Sequence, residues 1–182
     1  MSDKDLVELK NAVEYFELQL KKKYSTKDLN TAYLTYLESM YSREFDESFL
    51  DFYLDKGAID ILERLKISKT FDKIWISLST AVSELKDENG KPILNDSDNE
   101  KLVIINKYGD YQKCVKESTN NKAIVDYVNF EIENVGLSFP ISARNLHKNL
   151  RPKDLNDDLN KLVITLGFYY EYVYMMNNYY RE

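Results

Sequence analysis

The sequence predicts an all-α fold, a single-domain bundle of about six to eight helices over residues 1–182. Three observations favour this class. Apolar residues recur at steps of three and four along most of the chain, the spacing that keeps side chains on one helix face. Five glycines and three prolines are too few turn-forming residues for a fold of many short strands. With 43% hydrophobic and 31% charged residues, the composition is that of a globular chain that can bury a core.

The first half of the chain contains five predicted helices. Lys21–Lys23 fall in the last turn of the first helix, where cations interact favourably with the helix dipole. Asp46 is predicted to cap the third helix and Gly57 to end it. Trp75 lies in the fifth and is predicted to anchor the core. The helices are predicted from about Lys4 to Lys23, from Thr26 to Ser42, from Glu47 to Lys56, from Ala58 to Ile67 and from Ser68 to a stop before Asn89.

A polar segment, residues 87–100, lacks a helical period and is predicted to be a loop, where any subdivision of the domain is expected to fall. Asp96, Asp98 and Glu100 alternate along it, as the first ligands of a calcium-binding loop do. The sixth position of such a loop requires glycine and is Lys101 here, so calcium binding is not predicted. We call residues 87–100 the acidic loop, and this loop is instead a candidate for contact with a charged partner.

Shorter elements are predicted beyond the loop. Leu102–Ile105 fits either a helix or a short buried strand. A helix from Asn121 to Val135 ends before a glycine, and a short element spans Ile141–Leu150 between two prolines. The tetrapeptide Lys-Asp-Leu-Asn opens a predicted helix at residues 27–30 and again at residues 153–156. One recurrence does not indicate a repeat architecture.

The C-terminal stretch, Leu155 to Tyr180, carries an apolar stripe at alternating steps of four and three. From Leu162 onward the other faces become apolar too, which is typical of a helix that is enclosed by others or covered by a partner. Residues 168–180 also fit a second interpretation, because strand-preferring side chains alternate there and Asn177-Asn178 fits a hairpin turn. The alternative fold is therefore mainly α with a small C-terminal winged-helix-like β-hairpin.

Net charge and tyrosine content favour a protein partner. A formal charge of −6 argues against general binding to nucleic-acid phosphates and is compatible with a partner that has a basic surface. Fifteen tyrosines combine an apolar ring with a polar hydroxyl, a combination that suits interfaces. The residues predicted to bind the partner are Tyr172, Tyr174, Tyr179, Tyr180, Asp96, Asp98 and Glu100.

The chain has one concentrated basic patch. Arg144 and Lys148 are four residues apart, as are His147 and Arg151, so each pair shares a helix face. This patch is predicted to bind an anion, either a phosphate or an acidic protein surface. Three aspartates between positions 154 and 158 follow at once and are expected to neutralise part of the charge.

Common catalytic and metal-binding motifs are absent from the sequence. His147 is the only histidine, which excludes metal sites built from two or more histidines. The five glycines lack the spacing of a phosphate-binding loop or a dinucleotide fingerprint, and no serine lies in a Gly-x-Ser-x-Gly motif. We therefore predict no catalytic residue, no metal ligand and no cofactor.

The sequence also indicates a cytoplasmic protein outside the membrane. Cys114 is the only cysteine and has no intramolecular disulfide partner, which favours a reducing compartment. Residues 1–5 lack the signature of a secretory signal, and no apolar run approaches the ~18 residues of a membrane span.

The predicted function is a non-enzymatic protein–protein interaction module. Its most concrete form is a cytoplasmic immunity or inhibitor protein that neutralises a basic protein. Two alternatives stay open: a winged-helix-like regulator associated with nucleic acid, which would use the hairpin and the basic patch, and a helical enzyme of unknown chemistry. Self-association is left open as well.

Overall fold

The computed structural model describes residues 1–42, 48–83, 100–133 and 139–180, and it confirms the all-α helical bundle. Eight of the described α-helices have seven residues or more, and three are shorter. They are α1 Asp3–Tyr24, α2 Leu29–Ser42, α3 Ser48–Tyr53, α4 Lys56–Ile67, α5 Phe71–Ile74, α6 Leu78–Ser83, α7 Asp110–Ser118, α8 Lys122–Glu133, α9 Phe139–Asn149, α10 Asp158–Ile164 and α11 Glu171–Tyr180. A 3₁₀-helix, Pro152–Asn156, precedes α10, and a π-helical segment, Thr165–Tyr170, joins α10 to α11.

Helix α1 begins with a capping box. The Ser2 hydroxyl accepts a hydrogen bond from the Asp5 amide at 3.3 Å, and the Asp5 carboxylate accepts one from the Ser2 amide at 2.6 Å. Asp5 is buried and also accepts hydrogen bonds from the Thr70 hydroxyl and the Lys73 ammonium group. Burial alone would raise the pKa of Asp5, but the hydrogen bonds from Lys73, Ser2 and Thr70 outweigh it and hold that pKa well below its ordinary value.

Gly57 was predicted to end a helix, and the structure corrects this prediction. Helix α3 ends at Tyr53, Asp55 caps α4 by accepting a hydrogen bond from the Gly57 amide at 2.8 Å, and Gly57 is the second residue of α4. The glycine is needed for packing, because a methyl group there would overlap the Tyr15 ring. Tyr15 in turn donates a hydrogen bond to Asp55, which ties α1 to the start of α4.

The predicted fifth helix is interrupted by a short strand. Trp75–Ser77 forms β1, which pairs antiparallel with β2, Val103–Ile105, so that Trp75 lies opposite Ile105. Of the two interpretations of Leu102–Ile105, the strand is therefore observed. The prediction that Trp75 anchors the core is confirmed, because its side chain is only 2% exposed. Pairing between distant strands overrides the helical spacing of residues 71–85.

The C-terminal stretch is helical from Asp158 to Tyr180, so the β-hairpin alternative is not formed. Every residue from Val163 to Val173 is buried. Tyr169 stacks on Phe16 of α1 at 4.6 Å between ring centroids, and its hydroxyl donates to the Phe52 carbonyl at 3.0 Å. Phe168 stacks on Tyr127 of α8 at 5.1 Å. Helices from both halves of the chain thus enclose this segment, which is one of the two arrangements that its apolar faces predicted.

The two Lys-Asp-Leu-Asn tetrapeptides lie beside each other. Asn30 donates its side-chain N–H to the Asn156 side-chain oxygen at 2.8 Å, across 126 positions of sequence. One tetrapeptide leads into α2 and the other forms most of the 3₁₀-helix before α10. The recurrence therefore marks two neighbouring helix starts.

Candidate functional site

The tyrosines predicted to bind a partner divide into core and surface residues. Tyr172 is a core residue, because it is 7% exposed and its ring stacks on Tyr53 at 5.0 Å between centroids. This corrects its expected position at an interface. Tyr174 is half-buried, with the Lys66 Nζ 5.2 Å from its ring centroid. Tyr172 is enclosed and Tyr174 is partly covered because α11 continues the buried segment at its first turns.

Tyr179 and Tyr180 remain at the surface, 39% and 60% exposed, at the end of α11. Lys101 places its Nζ 5.0 Å from the Tyr179 ring centroid. Because Glu100 precedes Lys101 and is exposed, the end of the acidic loop lies near the two tyrosines. Asp96 and Asp98 lie outside the described residues. The tyrosine end, Tyr179 and Tyr180 with Glu100 and Lys101, thus joins two predicted parts of the partner surface.

A second surface, which sequence reasoning missed, is a groove between α1 and α10. Its apolar lining is contributed by five side chains: Leu6, Leu9, Val13, Leu159 and Leu162. Leu6 is 52% exposed, although it belongs to the same apolar stripe as fully buried residues of α1. We call this surface the α1–α10 groove. The stripes of both helices were predicted, but the sequence does not show which stripe residues stay uncovered.

Charged side chains border the α1–α10 groove, and carboxylates outnumber ammonium groups among them. Glu17 pairs with Lys161 at 3.1 Å, and both side chains are mostly buried. Glu14 and Lys10 form an exposed pair at 3.7 Å along α1. Asp158 has no ion pair within the described ranges. The rim therefore has a net negative charge above an apolar floor.

The predicted basic patch forms a cleft on α9. Arg144, Asn145 and Lys148 line it, and Tyr41 of α2 faces them together with Pro140 and Ile141 at the start of α9. His147 holds the Tyr41 ring, because its Nδ1 lies 2.9 Å from the Tyr41 hydroxyl. We call this surface the α9 cleft.

Arg151 is exposed and does not line the α9 cleft. Two of the three aspartates expected to neutralise the patch accept hydrogen bonds from backbone amides. Asp154 accepts a hydrogen bond from the Arg151 amide at 2.8 Å, and Asp157 accepts one from the Leu159 amide at 2.9 Å. Both serve as helix caps, the usual role of such residues at these positions. Asp158 borders the α1–α10 groove.

Two carboxyl groups with little solvent contact were not predicted: Glu171 is buried, and Glu131 is half-buried. Glu171 accepts a hydrogen bond from the Trp75 indole N–H at 3.1 Å, and Glu131 accepts one from the Ser142 hydroxyl. Burial raises the pKa of both, and the charge of Glu131 raises that of Glu171 further, to well above its ordinary value. These contacts hold β1 to α11 and α8 to α9.

The described residues contain no group of three or more histidine, cysteine, aspartate or glutamate side chains that could hold a metal ion. Among the helices that the structure describes, none combines the length and apolarity needed to span a membrane. Comparison of the chain with protein-family models, with curated proteins and with solved structures finds no match.

Proposed function

We propose that the chain is a non-enzymatic protein-binding module that takes up a basic, amphipathic helix of its partner in the α1–α10 groove. The single observation that carries this proposal is an apolar groove bordered by more carboxylates than ammonium groups. An immunity or inhibitor protein acting in the cytoplasm on a basic protein is its most concrete form.

A groove between two helices suits this mode of recognition. An amphipathic helix that docks in a groove presents apolar side chains at i, i+3, i+4 and i+7, and its flanks contact the rim. Leu6 and the half-buried Val13, Leu159 and Leu162 offer the apolar contact. The negative rim favours lysine and arginine on the flanks, and the net charge of −6 attracts such a partner over longer distances.

The tyrosine end supports an interaction function independently. Exposed tyrosines contribute large contact areas at low cost in conformational entropy and are enriched where binding energy is concentrated. Tyr179 and Tyr180 meet this description. The tyrosine end is therefore a second candidate surface for the partner.

Binding of a defined peptide tests the groove. The probe is a Leu/Lys peptide of about four helical turns, compared with a Leu/Glu peptide of the same apolar pattern. Leu6→Lys should weaken binding of the Leu/Lys peptide at least about tenfold, because it removes about 1 kcal/mol of apolar contact and repels the peptide's charge. Val7→Lys is the matched control, since Val7 is 58% exposed beside Leu6 but does not line the groove.

Equal loss of binding in both variants, or equal binding of the Leu/Glu peptide, contradicts the proposal. The native partner is then sought by affinity capture with the wild-type chain and both variants. A partner that Val7→Lys retains and Leu6→Lys loses, and that carries a basic amphipathic helix, supports the proposal. Capture that Leu6→Lys leaves unchanged counts against it.

No observation on the described residues favours either of the two alternative functions. A winged-helix regulator would use a hairpin at residues 168–180, where the structure has helix. An enzyme built on His147 would need that imidazole as a base beside a serine or cysteine nucleophile, and the group that contacts its Nδ1 is the Tyr41 hydroxyl.

A further inference from the structure

We propose that the α9 cleft binds a small phosphate monoester, with Arg144 and Lys148 contacting the phosphate and Ile141 and Pro140 contacting the organic group. This site is separate from the α1–α10 groove and has the opposite charge. The proposal therefore stands independently of the partner proposed above.

The charge of helix α9 is the first observation. Its eleven residues, Phe139–Asn149, include Arg144, His147 and Lys148 and no aspartate or glutamate, in a chain of net charge −6. Neither Arg144 nor Lys148 forms an ion pair or side-chain hydrogen bond with any described residue, and both are exposed. Two cations that have no carboxylate partner among the described residues, on an acidic protein, leave a local positive charge that an anionic ligand can neutralise.

The spacing of the two cations is the second observation. Side chains four residues apart on a helix have Cβ atoms about 5–6 Å apart, so the guanidinium and ammonium groups can contact one small anion together. The guanidinium fork suits two oxygens of a phosphate, and the ammonium group adds a mobile charge. A phosphate monoester has close to two negative charges above its second pKa of about 6, which matches the two cations.

The shape and polarity of the α9 cleft are the third observation. Its volume of about 400 Å³ is sufficient for a small ligand and falls within the range of ligand pockets. Tyr41 forms one wall, and His147 fixes its ring through the 2.9 Å contact with the hydroxyl. Ile141 is 46% exposed beside the cations and offers an apolar surface to the ester group. Asn145 adds an amide that can donate to a phosphate oxygen.

Titration with phenyl phosphate tests the site. The signals of the single histidine, His147, report on it without ambiguity in proton NMR, because the chain contains no other imidazole. They should shift as phenyl phosphate is added at low salt. The double variant Arg144→Gln/Lys148→Gln should weaken binding about tenfold or more, since it removes both charge-assisted contacts. The control Arg151→Gln/Lys153→Gln removes the same charge from exposed residues outside the cleft and should change the affinity less than about threefold.

Three comparisons decide the outcome. Equal weakening in the two double variants means that the anion is attracted by overall charge and overturns the proposal. Equal affinity for benzoate, which has one charge, or for inorganic phosphate removes the monoester assignment. Tighter binding of a short oligonucleotide than of phenyl phosphate would make the patch a nucleic-acid contact instead. An unchanged fold of each variant is verified by the fluorescence of Trp75, which lies in the core.

Discussion

The dipeptide Tyr-Tyr occurs at two places in the C-terminal helical stretch, with opposite outcomes. Tyr169 and Tyr170 are fully buried, whereas Tyr179 and Tyr180 are 39% and 60% exposed. The first pair contacts Phe16 and the carbonyl of Ala12, so α1 covers it, whereas the second pair ends the helix beyond the core. Both dipeptides lie in helical backbone. The comparison shows that a tyrosine-rich helical segment becomes core or surface according to which distant helices pack on it.

The largest effect is expected for Tyr169→Ala. The substitution empties a buried volume between α1 and α3 and should lower the free energy of unfolding by about 3–5 kcal/mol. Chemical denaturation followed by Trp75 fluorescence measures the change. Tyr169→Phe keeps the ring but leaves the Phe52 carbonyl without its 3.0 Å donor, and should cost about 1–2 kcal/mol. Near-zero costs for both would mean that the first tyrosine pair is not covered as described.

A smaller loss is expected for Gly167→Ala. A methyl group there would overlap the hydroxyl of Tyr127, whose ring cannot easily move because it stacks on Phe168. Overpacking of this kind should cost about 1–3 kcal/mol. Adding Tyr127→Phe removes the clashing oxygen and should recover part of that loss, because the ring carbon beneath it would lie 3.1 Å from the methyl group. A double variant no more stable than Gly167→Ala alone contradicts this account.

Two buried carboxyl groups, Glu171 and Asp5, should change the stability of the fold in different pH ranges. Because the pKa of Glu171 is raised, the folded chain retains its proton over a range of pH above 4.5 in which the unfolded chain ionises it. Stability should therefore fall as the pH rises between that value and the raised pKa, by at most about 1.4 kcal/mol per pH unit. Asp5 has a lowered pKa, so its contribution should be lost as the pH falls below its ordinary value of 3.8.

Substitutions separate the two contributions. Glu171→Gln should reduce the loss of stability above pH 4.5, of which the raised pKa of Glu131 retains a part, and leave the acid side unchanged. Asp5→Asn should reduce the loss of stability below pH 3.8 and leave the slope above pH 4.5 unchanged. Denaturation at a series of pH values measures both slopes, and the indole N–H signal of Trp75 reports on Glu171 directly, because it donates to that carboxyl group. The assignment is wrong if Glu171→Gln leaves the slope above pH 4.5 as it is in the wild type.

The smallest effect on stability is expected at the exposed tyrosine pair. Tyr180→Ala should change the free energy of unfolding by less than about 0.5 kcal/mol. Tyr179→Ala should cost about 0.5–1 kcal/mol, because the contact between its ring and Lys101 is lost. In both variants, the loss of binding free energy for the native partner should exceed the loss of free energy of unfolding. Thermal denaturation and partner capture, compared side by side with Tyr169→Phe, test this distinction.

Most helices could be predicted from the sequence because apolar residues spaced three and four apart lie in helices in the structure. Helix α1 and the core position of Trp75 follow from local patterns of this kind. The break at β1 could not be predicted, because it depends on pairing with β2 across the acidic loop. Gly57 was assigned to a helix end for a similar reason, since its role depends on the ring of Tyr15, 42 positions away.

The candidate sites show the same division. Arg144 and Lys148 were predicted as a basic pair from their spacing, and the structure adds Tyr41 as the opposite wall. Two of the three aspartates expected to neutralise the patch, Asp154 and Asp157, serve as helix caps, because their backbone neighbours offer unpaired amides at short range. Tyr172 was predicted at an interface, but Tyr53 and Phe139 cover it.

By itself, the sequence determined the helical class, most helix positions and the acidic charge, because these depend on residue types and on spacing within one element. The tertiary structure decided which face of each helix stays uncovered. Leu6 and Leu9 share one stripe, yet only Leu6 is exposed in the α1–α10 groove, and Tyr169 and Tyr179 share one helical stretch, yet only Tyr179 reaches the surface. The reason is that burial depends on the neighbours that distant segments bring, and periodicity within one helix does not encode them.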